Sequence, residues 1–297
     1  MPETMPRRKA LVILNGNARH GAKLADRVEE VLDARGIGIL PVRLKKGDDA
    51  SAVIDMHAGD VDRVIVGGGD GTLNAAARGL IASGLPLGIL PLGTANDLAR
   101  TLGIPTDVEA AIDVIAAGRM RTIDVGEVNG SPFFNVASVG FSAELAKNLT
   151  KDAKRRWGVA GYAVTAAKLL WKSKPFGATL AYGTKEEHVH TLQVAVGNGH
   201  YYGGGMKVAA DARPDDGMLD IYSLEVMHWL ELPAMLPMLR TGTHAAWPTV
   251  RGLRVGEFEL RTRKPMPVNA DGEIVTTTPA RFRIREKAVR VFVADGD

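Results

Sequence analysis

Residues 64–74 of the chain read VIVGGGDGTLN, and this stretch decides how the first half of the protein is organised. An apolar strand runs into a glycine loop, and a helical pattern follows from Thr72. Glycine lets a backbone approach a phosphate closely, and the unpaired N–H groups at a helix N-terminus attract anions. Asp70 inside the loop would repel a phosphate unless a cation such as Mg²⁺ lies between them. The pattern therefore predicts a phosphate site with Mg²⁺; the alternative is a tight strand–helix turn in which Asp70 caps the helix.

A second loop of this kind lies in GILPLGTANDLAR, residues 88–100. Again an apolar strand ends in small polar residues before a helix. Thr94 and Asn96 can donate hydrogen bonds to a phosphate, and Asp97 can bind a metal or cap the helix. The alternative is an ordinary capped connection. Two such loops at the carboxyl ends of parallel strands lie where open α/β sheets bind their ligands.

The first part of the chain, to about residue 125, alternates apolar runs with helical patterns, which predicts a parallel sheet covered by helices. The predicted strands are Ala10–Leu14, Leu40–Leu44, Arg63–Val66 and Pro86–Leu90, and the predicted helices are Ala22–Ala34, Ala50–Ala58, Thr72–Ala82 and Val108–Ala117.

From Ile123 onward the pattern changes to many short strands, which predicts a mostly antiparallel β-sandwich. The predicted strands are Ile123–Val128, Phe133–Val139, Ala178–Tyr182, His188–Val196, Leu219–Leu224, Gly256–Arg261, Met266–Asn269, Arg281–Ile284 and Val289–Val293, and the predicted helices are Arg155–Lys172 and Leu230–Thr241. We therefore expect an α/β domain over residues 1–128 and a β-rich domain over 129–285, with a last strand at about 286–297 returning to the first domain. Ligands of such proteins usually lie between two domains.

Composition excludes several classes of function for this chain of 297 residues. It contains no cysteine, so disulfides and thiolate metal sites are absent, and no apolar run is long enough for a transmembrane helix. Aromatic residues make up only 5%, which argues against a nucleic-acid partner. A net charge of +3 suits an anionic ligand or membrane surface. The expected location is the cytoplasm.

Further motifs, in order along nearly the whole chain, give it a specific resemblance. GGDGTLN at 68–74 and PLGTANDLAR at 91–100 resemble the diacylglycerol kinase catalytic family, which includes bacterial diacylglycerol kinases, YegS-like lipid kinases, and sphingosine and ceramide kinases. The other matching segments are the loop from Asn15, IDVG at 123–126, NVASVGF at 135–141, DARPDDGMLD at 211–220 and NADGE at 269–273. One departure is Gly16, which stands where the family usually has proline and leaves nucleotide contacts from that loop less secure.

The resemblance implies an ATP-dependent lipid kinase with a first domain like that of NAD kinases and phosphofructokinases. ATP is then the co-substrate and Mg²⁺ the cofactor. Asp70 would lie next to the Mg²⁺ ion, and Asp97 and Asp124 would complete a carboxylate cluster. The nucleotide-binding residues that we expect are Asn15, Arg43, Gly67, Gly68, Gly69, Asp70, Gly71, Thr72, Thr94 and Asn96.

The resemblance also places the proton acceptor for the substrate hydroxyl at Glu273, with Asp271 as the competing assignment. Without it, Asp271-Gly272 would be interpreted as a plain hairpin turn. A second, structural Mg²⁺ is implied at Asp216 and the carbonyls of Arg213 and Met218, a segment that otherwise suggests a turn.

Residues 151–174, KDAKRRWGVAGYAVTAAKLLWKSK, combine basic and aromatic residues around an apolar stretch. This composition suits transient contact with an anionic membrane, although a core helix with solvated ends has the same composition. The expected partners are ATP, a lipid such as diacylglycerol or phosphatidylglycerol, and the membrane surface; a homodimer is left open. Two rival functions are a kinase for NAD or another soluble substrate and a non-catalytic sensor of nucleotide or lipid.

Overall fold

The computed structural model describes residues 9–15, 21–45, 47–141, 143, 174–209, 211–225, 238, 241–243 and 247–294. The chain forms two compact units. The first contains the residues up to Asp124 and those from Glu286 onward, and the second contains Val125–Arg285. Within the described ranges, no helix has both the length and the apolar character needed to cross a membrane.

The first unit is built from strands that alternate with helices. Its strands are β1 (Lys9–Asn15), β2 (Gly38–Leu44), β3 (Arg63–Gly68), β4 (Leu87–Pro91) and the start of β5 (Met120–Val128). Its helices are α1 (Gly21–Ala34), α2 (Ala50–His57), α3 (Asp70–Ser83), α4 (Asp97–Thr101) and α5 (Val108–Ala117). Asp49 and Asp107 start α2 and α5 by accepting hydrogen bonds from the first free N–H groups of each helix.

The sheet of the first unit has the order β2-β1-β3-β4, and each of these neighbours is parallel. Leu11, Ile13, Ile65 and Leu87 are fully buried in it, because a parallel sheet is covered on both faces. All its strands run the same way, so the residues that follow β1, β3 and β4 lie along one edge of the sheet. Both sequence-predicted loops therefore belong to this edge.

The described residues of the second unit lie mainly in strands. Its strands are the end of β5, β6 (Ser131–Phe133), β7 (Val136–Gly140), β8 (Phe176–Tyr182), β9 (Lys185–Thr191), β10 (Gln193–Gly197), β11 (Tyr201–Tyr202), β12 (Met206–Lys207), β13 (Leu219–Leu224), β14 (Val250–Val255), β15 (Glu257–Thr262), β16 (Pro267–Ala270), β17 (Glu273–Thr277) and the start of β18 (Ala280–Phe292). The remainder of β18 belongs to the first unit, where Val291 pairs with Leu87 of β4 in parallel.

Two antiparallel layers make up the second unit. One has the order β18-β15-β8-β9 and the other the order β14-β13-β10-β7-β16-β17. Alternate residues of both layers share one apolar core, in which Phe258 and Phe282 stack with ring centroids 4.8 Å apart. The sequence prediction of a parallel α/β part followed by an antiparallel β-sandwich is confirmed.

Several local predictions need correction or lie outside the described residues. The glycine-loop helix begins at Asp70 rather than Thr72, and strands β11, β12, β14 and β17 were not predicted. The predicted strand His188–Val196 is two strands, β9 and β10, and the predicted strands Arg281–Ile284 and Val289–Val293 form one strand, β18. Predicted helix Arg155–Lys172, nearly all of predicted helix Leu230–Thr241, and the loop at Gly16 lie outside the described part of the chain.

Candidate active site

The glycine loop leads directly from β3 into helix α3. Gly69 is the N-cap residue in extended backbone, and as a glycine it has no side chain to cap the helix. The N–H groups at a helix start point along the axis toward the preceding loop, so this end is suited to an anion. Asn15, at the end of β1, donates from Nδ2 to the Thr72 hydroxyl at 3.1 Å. The predicted residues Asn15, Gly69 and Thr72 thus meet at one corner of the sheet.

The second loop contacts the glycine loop backbone to backbone. A Cβ at Gly93 would overlap the Cα of Gly69, so neither residue tolerates a side chain without a shift of the loops. The Leu92 N–H also donates to the Gly68 carbonyl at 3.0 Å. These contacts fix the two loops against each other before any ligand binds.

Asn96 shapes the second loop from within. It has a left-handed backbone with φ 51° and is buried. Its Oδ1 accepts from the Gly93 N–H at 2.9 Å, and its Nδ2 donates to the carbonyls of Gly93 and Pro91. The Asn96 side chain therefore supports the loop. Thr94, which was predicted together with Asn96 to donate to a phosphate, is exposed at the loop tip.

Asp70 is the first residue of α3, and its carboxylate connects the two loops. Oδ1 accepts from the Leu98 N–H at 3.1 Å, which is in the first turn of α4. Asp97, immediately before Leu98, is buried, with 4% of its surface exposed. The predicted carboxylates Asp70 and Asp97 therefore belong to one corner of the first unit.

Asp124 and Arg43 have contacts elsewhere in the first unit. Asp124 is buried near the middle of β5 and accepts from the Lys287 N–H of β18 at 2.7 Å. Arg43 lies on β2, the edge strand of this sheet, and forms an exposed ion pair with Asp26 at 3.3 Å. The contact of Asp124 fixes strand β18, a role that the sequence did not indicate.

The second unit presents the Asp271–Glu273 turn between β16 and β17. Asp271 and Gly272 both have positive φ, at 46° and 96°, as a tight two-residue hairpin requires. The Asp271 carboxylate accepts from three consecutive backbone N–H groups, those of Phe134, Asn135 and Val136, at 2.7–3.1 Å. Asp271 therefore clamps the start of β7, whereas Glu273 is exposed.

An acidic cluster lies at the same end of the six-stranded layer. The Asp216 carboxylate accepts from the Met218 N–H at 3.0 Å and pairs with Arg254, whose Nε lies 3.5 Å from Asp220. Burial raises the pKa of Asp220 to about 6, because removal from water disfavours the charged form. No sequence pattern indicated Arg254, which lies on the unpredicted strand β14.

Asp220 and Glu273 are separated by four strand spacings, or about 19 Å in a regular sheet. A cation at the Asp216 cluster would therefore act on stability, because Glu273 is out of its direct reach.

Family models match both units. Residues 9–128 match the diacylglycerol kinase catalytic domain, and residues 135–293 match the YegS C-terminal NAD kinase beta sandwich-like domain. A Pseudomonas fluorescens protein named "Probable lipid kinase YegS-like" is 35% identical, over 98% of this chain and 97% of that protein.

The chain belongs to the YegS-like branch of the diacylglycerol kinase family. A Chromohalobacter salexigens protein with the same name as the Pseudomonas relative is 32% identical, over 88% of this chain and 86% of its own length. A Bacillus anthracis crystal structure described as a diacylglycerol kinase has a TM-score of 0.77 at 23% identity, with 97% of each chain covered. Another from that organism has a TM-score of 0.83 at 24% identity, covering 99% of this chain and 98% of its own, which shows the shared fold. Membership in the family makes this protein a kinase and confirms the resemblance drawn from its motifs.

Proposed function

We propose that this protein transfers the γ-phosphate of ATP to a hydroxyl group of a lipid such as diacylglycerol or phosphatidylglycerol. The observation that carries the proposal is the N-terminus of α3, which follows the glycine N-cap Gly69 and is fixed against a second loop by Asp70 and by the Gly69–Gly93 contact. Phosphoryl transfer depends mainly on positioning and electrostatic stabilisation, and a rigid cradle of N–H groups supplies both. The first unit would bind ATP and the second the lipid.

Residues 68–72 would hold the nucleotide phosphates, and Thr94 would add a hydroxyl donor from the neighbouring loop. Asn96 and Asn15 would act by keeping this cradle in shape, since their amides bond to Gly93 and Thr72. Arg43 would contribute positive charge at the edge of the sheet.

Asp70 and Asp97 fit Mg²⁺ that enters with the nucleotide. Mg²⁺ typically takes one or two carboxylates together with phosphate oxygens. Across the described residues, no group of three or more carboxylates or histidines could hold a metal ion unaided. When bound, the ion would neutralise charge on the transferred phosphoryl group. Asp124 would hold β18 in place by accepting the Lys287 N–H.

Glu273 would accept the proton of the lipid hydroxyl, and Asp271 would position the turn that carries it. The contacts favour this division of roles, because the Asp271 carboxylate already receives three N–H groups while Glu273 is exposed. Contact with the membrane would be transient and peripheral, through residues 151–174, on a protein located in the cytoplasm.

The acceptor is identified by phosphorylation with labelled ATP against a panel of hydroxyl compounds. The panel contains diacylglycerol, phosphatidylglycerol, sphingosine, ceramide, undecaprenol and NAD, with each lipid in detergent micelles. Label in one lipid and none in NAD is the expected result. Label in NAD alone would favour a soluble-substrate kinase, and no label with intact ATP binding would favour a sensor.

Replacement of Gly93 by alanine is expected to separate the two loops. The added Cβ would overlap the backbone of Gly69, so the free energy of unfolding should fall by about 1–3 kcal/mol and ATP affinity should fall with it. Thermal melting and ATP titration measure both effects. Gly59→Ala is the matched control, because a Cβ there meets nothing within 4 Å; equal loss in both variants would contradict the proposed loop contact.

A structural Mg²⁺ at Asp216 and the carbonyls of Arg213 and Met218 would compete with Arg254 for the carboxylate. Without nucleotide, Mg²⁺ should raise the melting temperature, because an ion that binds only the folded state stabilises it. At tenfold excess over its dissociation constant the gain is about 1.4 kcal/mol, or roughly 3–6 °C. Asp216→Asn should abolish this shift and Asp211→Asn should keep it. A wild-type protein that melts identically in Mg²⁺ and in chelator would refute the site.

A further inference from the structure

A groove of about 450 Å³ crosses the outer face of the layer β18-β15-β8-β9. Gly177 on β8 has no side chain, and a Cβ there would meet no atom within 4 Å, so there is open space above the sheet at this point. The groove is lined by Gly177, Ala178, Thr179, His188, Val189, Arg261, Thr262 and Arg263. It lies wholly within the second unit and contains none of the residues assigned above to the kinase reaction.

Strand register brings the polar lining residues together. Thr179 lies opposite His188 of β9 and opposite Arg261 of β15, so these three side chains form one row across the outer face. The Thr179 hydroxyl is 3.0 Å from Nδ1 of His188. The ring of His188 is therefore held in place, and among the described residues its Nε2 has no hydrogen-bond partner.

The excess positive charge of the groove comes from Arg263, because Glu186 and Glu259 balance the charge of Arg261. No carboxylate is among its eight lining residues, and Arg261 and Arg263 contribute two guanidinium groups. Arg261 is oriented by Glu186 at 2.7 Å and Glu259 at 3.7 Å, and its side chain remains 44% exposed. No carboxylate in the described part of the chain pairs with Arg263, so its charge is available to a ligand.

We propose that this groove binds a phosphate group, as a monoester or diester. The two guanidinium groups, together with one donor from the Thr179–His188 pair, suit the several oxygens of a phosphate, and guanidinium pairs with phosphate in a planar, bidentate manner. The volume exceeds that of a bare phosphate and leaves room for an attached glycerol. The phosphate can come from a phospholipid headgroup or from a free phosphorylated molecule. The site does not depend on the proposed kinase activity.

Binding is tested on the full chain by NMR of isotope-labelled histidine side chains. The chain has seven histidines, and the signal of His188 is assigned with a His188→Gln variant. Inorganic phosphate and glycerol 3-phosphate are titrated at constant ionic strength with chloride as the blank. We expect a saturable shift of the His188 ring signal in wild-type protein. The Arg263→Gln variant separates binding in this groove from phosphate bound at the glycine loop.

Arg263→Gln should weaken this binding about tenfold, the effect of one lost charge-assisted hydrogen bond. Arg281→Gln is the matched control, because Arg281 pairs with Glu257 and is not among the residues lining the groove. A shift that never saturates, or that is unchanged in Arg263→Gln or weakened equally in Arg281→Gln, would overturn the proposal.

The source of the phosphate is distinguished by sedimentation with vesicles of phosphatidylglycerol or phosphatidylcholine. If the ligand is a headgroup, Arg263→Gln reduces binding to phosphatidylglycerol vesicles and Arg281→Gln does not. If it is a free molecule, the NMR effect of Arg263→Gln persists while vesicle binding stays at the wild-type level. Both results support the phosphate site. If the site does not exist, the outcome of the kinase assay does not change, so the two proposals can fail separately.

Discussion

Asp70→Asn is expected to lower kcat/KM for phosphoryl transfer by about 10²- to 10³-fold while the protein remains folded. Asparagine keeps an oxygen that can accept the Leu98 N–H, so the link between the two loops survives. It removes the negative charge that would hold Mg²⁺ beside the nucleotide phosphates. Steady-state kinetics across a magnesium series, together with thermal melting, measure the two effects separately.

The matched control for Asp70 is Asp107→Ala. Asp107 is an aspartate at a helix start in the same unit, and its carboxylate accepts from the Ala110 N–H at 2.9 Å. Its loss should cost about 1 kcal/mol of stability and leave kcat unchanged. If Asp70→Asn behaves in the same way, Asp70 is only a structural link and the phosphate–magnesium assignment fails.

Glu273→Gln should lower kcat by about 10²- to 10⁴-fold, the usual contribution of a general base. Glutamine keeps the size of the side chain and removes its ability to accept a proton. ATP affinity and the melting temperature should change little, because Glu273 is exposed and has no assigned contact with nucleotide. Rapid-mix kinetics with the preferred lipid measure the chemical step.

Asp271→Asn is expected to lower stability more than Glu273→Gln does and to lower kcat less. An amide offers one acceptor oxygen to three N–H groups and turns its own NH₂ toward them, so the loss of stability should be about 1–3 kcal/mol. Measured well below its melting temperature, the variant should retain more activity than Glu273→Gln. If Asp271→Asn is the slower enzyme there, the two roles are reversed. If neither change costs more than about tenfold, proton removal does not limit the reaction.

The sequence predicted the two-part fold because its strongest signals are local. The apolar strands before Gly67 and Pro91 are buried in a parallel sheet, so they appear as uninterrupted apolar runs. Strand β14 was missed because VRGLRV carries a glycine and two arginines, and only its pairing with buried β13 makes it a strand. Strand pairing depends on partners distant in sequence, which no local pattern reveals.

The sequence motifs located residues of the candidate site, but they did not indicate all of the contacts that these residues make. Motifs located Asp70, Asn96 and Asp271, yet their hydrogen bonds to backbone groups depend on tertiary structure. Asn96 shows this most clearly, since a side chain predicted to donate to a ligand instead holds the loop around it. Arg254 could not be predicted either, because its role depends on pairing with Asp216, which lies 38 residues away in the sequence.

The discontinuous make-up of the first unit has a consequence for how the protein is synthesised. Strand β18 is translated after β1 to β4 and after the strands of the second unit, yet it supplies the parallel neighbour of β4 through the pairing of Val291 with Leu87. On the ribosome, β1 to β4 can assemble early, but β4 keeps an unpaired edge until the rest of the chain has emerged. Such an edge can pair with other nascent chains, so the nascent protein should depend on chaperones until β18 has paired with β4.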